Sequence, residues 1–185
     1  MFSMPVSVDL TKIKIVKLSE IYDLKRFDCG DPDLNDFIRN DAFEYEKQRL
    51  ARTYLVIYNE QDLVGFFSLV NDAIRLKEDE KEDDGLPFKL HEFPATKIVR
   101  MAVHKPMQSK GIGSIMVRIA FGFVLNCDHG VSRFVTVDSY PSNISFYERF
   151  NFVKNLHSNY TKKDDFVSMR YDLLNPSPEQ TLTKV

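Results

Sequence analysis

Lysines alternate with apolar residues at the start of 12–18 (Lys12-Ile13-Lys14-Ile15), the pattern of a half-buried strand. Asp31-Pro32-Asp33 then opens a helix. Asp31 is a capping residue, Pro32 suits the first turn, and Leu34, Phe37, Ile38, Ala42 and Tyr45 recur at helical spacing toward Leu50. Two β-branched and aromatic runs follow, 53–58 and 63–70, and the polar Asn59-Glu60-Gln61-Asp62 between them predicts an antiparallel hairpin. Gly65 inside the second run predicts a bulge or a close backbone approach. Residues 77–85 hold six carboxylates against Lys77 and Lys81 and read as a solvated charged loop. The next strand, 96–103, is stopped at His104-Lys105-Pro106.

From Gly113 to about Asn126, the residues Ile112, Ile115, Met116, Ile119, Ala120, Phe123 and Val124 form one helical stripe, and Gly130 is expected to end the helix. A strand over 131–137, a short helix from Pro141 to about Phe150, a strand beginning at Phe152-Val153 and a last strand over 166–173 complete the pattern. The order is β, α, β-β, β, α, β, α, β-β. Strand–helix–strand in the middle predicts a parallel pair with a right-handed crossover, and the hairpins predict antiparallel pairing. The fold class is therefore α/β (mixed α+β), a mostly antiparallel sheet with helices on its faces. It is expected to form one domain over 1–174, with 175–185, containing Pro176 and Pro178, as an unpacked tail.

Composition narrows the chemistry. In 185 residues, 43% are hydrophobic and 28% charged, enough for a packed core and too apolar for global disorder. A net charge of −2 neither requires nor excludes a polyanionic partner, because a local basic patch acts independently of the total. Cys29 and Cys127 stand in no C-x-x-C pair and beside no plausible histidine ligand, so no metal site and no disulfide framework is expected. Residues 1–10 lack a signal-type apolar run, and no stretch approaches a membrane span. A soluble, cytoplasmic protein is expected.

The candidate chemistry begins at Gln108-Ser109-Lys110-Gly111-Ile112-Gly113, between a strand and a helix. A glycine-containing turn there exposes backbone N–H groups at the positive end of the helix, which together make an anion site. Gly111 and Gly113 permit close approach and positive φ, and Lys110 adds charge, so the turn suits a diphosphate. A Walker A loop is absent, and Met116 stands where a dinucleotide fingerprint needs a third Gly or Ala.

Arg100-Met101-Ala102-Val103 followed by Gln108-x-x-Gly111-x-Gly113 resembles the acetyl-CoA signature of the GNAT acetyltransferase superfamily. Asn143-x-Ser145-Phe146-Tyr147-Glu148-x-Phe150-Asn151-Phe152 resembles its second signature, with Asn151 in place of the usual Gly, a substitution that a left-handed residue allows. The resemblance implies a sheet splayed at the parallel pair, with helices on both faces, and acetyl-CoA as cosubstrate. Its diphosphate would rest on the loop from Gln108 through Ser109, Lys110, Gly111, Ile112 and Gly113 to Ser114. Its pantetheine arm would pair with Met101, Ala102 and Val103. Asn143 would contact the cofactor and Tyr147 would face the sulfur. An amine attacks the thioester and a thiolate leaves, so Tyr147, a phenol of ordinary pKa about 10, is the expected general acid. The Val103 N–H would meet the oxyanion. Asp138 is the candidate base, with His104 and water as alternatives.

Phe27-x-Cys29-Gly30-x-x-x-Leu34-x-x-Phe37-Ile38, Ala51-Arg52-Thr53-Tyr54-Leu55-Val56 and Val64-Gly65-Phe66-Phe67-Ser68-Leu69 resemble the toxin branch of that superfamily, which acetylates aminoacyl-tRNA. That resemblance implies charged tRNA as acceptor and an antitoxin as partner. A basic strip of Arg39, Lys47, Arg49 and Arg52 favours RNA, whereas the six carboxylates of 77–85 favour a cationic amine, so a protein or small-amine (polyamine-like) acetyltransferase remains open. A non-catalytic acyl-CoA sensor is the third reading, which Tyr147 argues against. Edge strands and 15 phenylalanines permit a homodimer.

Overall fold

The computed structural model describes residues 8–86, 89–126, 130–161 and 165–174, so the expected tail 175–185 and Cys127 lie outside the described residues. In chain order the elements are β1 (Ile13–Lys17), α1 (Pro32–Asp36), a π-helical turn (Phe37–Asp41), α2 (Ala42–Lys47), β2 (Arg52–Tyr58), β3 (Asp62–Ile74), α3 (Glu78–Asp83), β4 (Phe93–Val103), α4 (Ile112–Leu125), β5 (Phe134–Ser139), α5 (Ile144–Glu148), β6 (Val153–Lys154) and β7 (Val167–Asp172). The fold is mixed α/β with a seven-stranded sheet of order β1-β2-β3-β4-β5-β7-β6. The β4–β5 pair is parallel, as the strand–helix–strand order requires, and the β1–β2, β2–β3, β5–β7 and β6–β7 pairs are antiparallel.

The described residues group into two compact units. One takes the described residues within Met1–Val70 and Val99–Ala120, the other those within Asn71–Ile98 and Phe121–Val185, so β3, β4 and α4 each contribute to both.

In the first unit, Asp31 caps α1 by accepting from the Asp33 and Leu34 N–H groups, with Pro32 in the first turn. The π-helical turn carries Phe37 and Ile38, and α2 carries Ala42, into a core with Leu24, Phe27, Leu55, Ile57, Leu63, Phe66 and Ala102. Tyr45 does not follow them: it is 39% exposed, its ring edge-on to Phe37 at 5.4 Å. The β2–β3 hairpin turns through Asn59 and Glu60, both with positive φ. Its register shifts between Val56, which faces Gly65, and Ile57, which faces Leu63, leaving Val64 as the extra residue of a bulge. A Cβ at Gly65 would also lie 3.1 Å from the Ala102 carbonyl oxygen and 3.2 Å from Met116 Sδ, so both expectations for this glycine hold. Gly65 thus faces α4 while its neighbour Phe66 faces the α1–α2 side, which puts helices on both faces of these strands.

The expected α4 stripe is corrected. Its buried residues are Ile112, Met116, Val117, Ala120 and Phe121, while Phe123 is 38% exposed. The helix is apolar nearly all round, so periodicity alone placed the stripe one position off.

The second unit has a core of Ile74, Leu76, Leu86, Phe93, Ala95 and Phe134. Here the acidic stretch departs from the solvated loop expected of it. Residues Glu78–Asp83 form α3, with Glu80 and Lys81 buried. Buried Arg170 of β7 reaches it, Nη1 standing 2.6 Å from Glu80 Oε1 and Nη2 3.2 Å from Asp84 Oδ2. Glu80 also accepts from the Lys77 and Leu156 backbone N–H groups. A pairwise-satisfied carboxylate tolerates burial that a free one does not. Burial nevertheless pushes the Asp84 carboxyl above its ordinary value, against the pull of Arg170.

β4 begins at Phe93, three residues before the expected start, and β5 begins at Phe134, three residues after. Among the described residues no helix is long and apolar enough to cross a membrane.

Candidate active site

The first unit carries the phosphate-type turn. β4 ends at Val103, a 3-10 turn spans Lys105–Met107, and α4 starts at Ile112. Between them Ser109 (φ 60°) and Gly111 (φ 86°) are left-handed, and Gly111 has no heavy atom within 4 Å of its Cβ position. The turn therefore needs glycine at 111 for its dihedral rather than for space. Gly113 is different from what its place in the motif suggests. It lies in the first turn of α4 and its φ is not positive. The first helical bond runs from the Ile115 N–H to the Gly111 carbonyl, so the N–H groups of Ile112, Gly113 and Ser114 have no intrahelical acceptor. Ile112 is buried while Gln108, Ser109 and Gly111 are exposed, which leaves the turn's backbone toward solvent.

The parallel register with β5 covers Ala95↔Phe134 to Ile98↔Val137, and β4 runs on through Met101, Ala102 and Val103. Ala102 packs into the first-unit core, so Met101 and Val103, its neighbours along the strand, present the opposite face.

The approach to the turn is bound to the segment before α1. The Asp28 N–H donates to His104 Nδ1 (3.1 Å), the Lys105 N–H donates to the Asp28 carbonyl (2.7 Å), and Gln108 Nε2 donates to the carbonyls of Cys29 (2.8 Å) and Val103 (3.0 Å). His104, an alternative base on sequence grounds, thus has one ring nitrogen engaged by the backbone and its ring against Phe27 at 5.7 Å. Asp28 Oδ1 accepts from the Gly30 N–H and from Asn35 Nδ2, both at 2.8 Å, which holds its carboxyl below the ordinary range. Burial pushes the Cys29 thiol up, so it is no activated nucleophile. This docking was not anticipated from the sequence. The Asp28-x-Gly30 turn was its one local signal.

The basic strip is largely occupied. Arg39 Nη2 donates to the Phe27 carbonyl, Lys47 Nζ stands 3.8 Å from Glu44 and Arg52 Nε 3.3 Å from Glu46.

The second unit carries Asp138, Asn143 and Tyr147. Asp138, near the end of β5, takes an ion pair from Lys97 at 2.8 Å, both side chains about a quarter exposed. Asn143, exposed, follows Pro141 in a 3-10 turn and leads into α5. Tyr147 on α5 is 7% exposed, edge-on to Phe146 (5.0 Å) and Phe152 (5.4 Å). Burial pushes its phenol well above the ordinary tyrosine range. Asn151 closes the helix with φ 62°, the left-handed conformation expected where a Gly usually stands.

The acetyltransferase (GNAT) family matches this sequence over residues 18–152. Among solved structures, the toxin–antitoxin complex AtaTR bound with acetyl-CoA superposes with a TM-score of 0.72 at 20% identity, covering 89% of this chain and 96% of that one. AtaT complexed with acetyl-methionyl-tRNAfMet gives 0.70 at 18% identity over 86% and 94%, and a Tyr-to-Phe mutant of KacT gives 0.71 at 18% identity over 88% and 96%. At these identities the likeness establishes the fold.

Proposed function

The chain belongs to the GNAT acetyltransferase family, and from that premise we propose that it transfers the acetyl group of acetyl-CoA directly to a primary amine. The observation that carries the reading is the turn 108–114. Its left-handed Gly111 and its first-turn amides without an intrahelical acceptor suit a diphosphate, and they follow, after the 3-10 turn Lys105–Met107, a strand that runs on past the end of its β5 pairing at Ile98. The neighbour bound with acetyl-CoA supports the same cosubstrate.

In this proposal the diphosphate rests on the amides of Ser109 to Ser114, with Gln108, whose own N–H is taken by the Lys105 carbonyl, leading into the turn and Lys110 adding charge, and Met101 and Val103 pair with the pantetheine arm. The Val103 N–H stabilises the oxyanion, and Asn143 contacts the cofactor. The neutral amine attacks the thioester carbon, the C–S bond breaks, and the sulfur takes a proton or hydrogen bond from Tyr147. The raised phenol of Tyr147 makes complete transfer to a thiolate less favourable than an ordinary tyrosine would, so its main contribution is a hydrogen bond that strengthens as charge develops on sulfur. Asp138 is the proposed acceptor of the amine's proton. It would act beside Lys97, whose ammonium competes for the same carboxylate.

For the acceptor, aminoacyl-tRNA is the favoured reading, with an antitoxin as partner. Two observations support it. Arg170 offsets one of the net negative charges of the 77–85 stretch and turns Glu80 and Asp84 inward, so the stretch repels a polyanion somewhat less than its composition suggests. The neighbour AtaT was also captured with acetyl-methionyl-tRNAfMet. The second reading, a protein or small-amine acetyltransferase, is favoured by the partial pairing of the basic strip, Lys47 with Glu44 and Arg52 with Glu46. Incubation with radiolabelled acetyl-CoA, charged total tRNA, spermidine and a peptide mixture separates the two. Label is expected in the RNA fraction and to be released by mild base together with the aminoacyl ester. Label confined to spermidine or peptide would overturn the tRNA reading and leave the acetyltransferase standing.

A further inference from the structure

Resting on the acetyl-CoA reading, we infer that the segment 27–30 is a built-in brace for the cofactor turn, with His104 and Gln108 as the positioning residues that dock it. Three features of the first unit carry this. First, the brace is rigid in itself: Asp28 accepts from Gly30 and Asn35, Asn35 Oδ1 accepts from the Cys29 N–H, and Gly30 takes φ 88° to make the turn. Second, each docking bond uses a different part of the approach to the cofactor turn. The His104 ring, the Lys105 amide and the Gln108 side chain each engage residue 28 or 29. Third, the Gln108 amide nitrogen reaches the Val103 carbonyl as well as that of Cys29, so one side chain ties the brace both to the end of β4 and to the start of the turn.

The consequence is preorganisation. A turn that must set Ser109 and Gly111 at positive φ and aim several amides at one diphosphate loses affinity if it is free to wander before binding. His104 is also fixed from its backbone, whose N–H donates to the Val64 carbonyl in the bulge, so the ring presents Nδ1 to Asp28 from a fixed platform. Neither side chain needs to touch the reacting atoms. Their effect falls on cofactor affinity, not on the chemical step.

The test uses the full chain, acetyl-CoA as the titrant in calorimetry, and a KM-against-kcat comparison on whichever acceptor the labelling identifies. His104→Ala removes the acceptor of the Asp28 N–H. His104→Asn keeps it, because the Asn side-chain oxygen occupies nearly the place of Nδ1. Gln108→Met keeps most of the side-chain length and adds no charge beside the diphosphate, but loses the donor to both carbonyls. Loss of these bonds is expected to weaken acetyl-CoA binding about tenfold in His104→Ala and at least as much in Gln108→Met. His104→Asn is expected to return to the parent's affinity, and in His104→Ala and Gln108→Met the KM for acetyl-CoA is expected to rise by a larger factor than kcat falls. Unchanged affinity in folded His104→Ala and Gln108→Met, or a fall in kcat with KM unaltered, overturns the brace. A parent that does not bind acetyl-CoA overturns the underlying reading instead, so the two failures are distinguishable.

Discussion

Tyr147→Phe is expected to lower kcat by about 10²- to 10³-fold while leaving acetyl-CoA affinity within about twofold of the parent. The ring is held by Phe146 and Phe152, and phenylalanine preserves those contacts, so the variant loses the hydroxyl and little else. The proposed diphosphate and pantetheine contacts are backbone groups elsewhere in the chain, which is why affinity is spared. The pH profile adds a second readout. Burial raises the Tyr147 phenol, so its proton is retained through the whole assay range, and no alkaline fall in kcat should be attributable to it. An alkaline limb that is present in the parent and vanishes in Tyr147→Phe would mean the hydroxyl titrates within the assay range, against this account. Pre-steady-state turnover with the labelled acceptor measures both effects.

Arg170→Met is expected to destabilise the fold by about 3–5 kcal/mol. The guanidinium is buried and answers two carboxylates, Glu80 and Asp84, besides donating to the Lys154 carbonyl and Asn155 Oδ1. Removing it leaves buried Glu80 without its charge partner while the methionine fills most of the volume. The lost energy is electrostatic, and in a chain of this size it lowers Tm by roughly 10 °C. Changing Arg170 and Glu80 to methionine together removes one stranded charge with its partner and should recover part of the loss, a coupling that a double-mutant cycle in urea reads directly. An Arg170→Met protein as stable as the parent would show that α3 is not held by this pair.

Much of this structure was legible in local sequence pattern, and what was not depended on distant partners. The hairpin was marked by its polar turn, the α1 start by Asp31-Pro32, the parallel pair by strand–helix–strand order, and the left-handed closure after α5 by Asn151. Each of these signals lies within a few residues of the feature it predicts. The acidic stretch failed because the residue that makes it foldable, Arg170, lies ninety residues further along the chain. Six carboxylates in nine positions read as solvated until that cation is found. The α4 stripe failed for a different reason: Val117 and Phe121 are as apolar as their neighbours, so only packing, such as Phe121 stacked on Tyr171 at 4.3 Å, chooses the buried side.

The candidate site divides the same way. The turn 108–113 could be read because glycine, lysine and a helix start are local facts. The brace could not, since Asp28 and Gln108 carry no mark of each other and the bond from Gln108 goes to a backbone carbonyl, which any residue supplies. Tyr147 was identified by motif, but its burial, and with it the departure from an ordinary phenol, depends on Phe152, which approaches only after the turn at Asn151.

Calorimetric titration of acetyl-CoA into the parent and into Gly111→Val decides whether the turn 108–114 holds the cofactor. Gly111 sits at φ 86° and a Cβ there meets no heavy atom within 4 Å, so valine acts chiefly through the backbone dihedral. Saturable one-to-one binding by the parent is expected, with a loss of about tenfold to a hundredfold in the variant, from the strain of forcing a β-branched residue into that conformation. A parent that shows no binding, or a folded Gly111→Val that binds as tightly as the parent, would contradict that role of the turn.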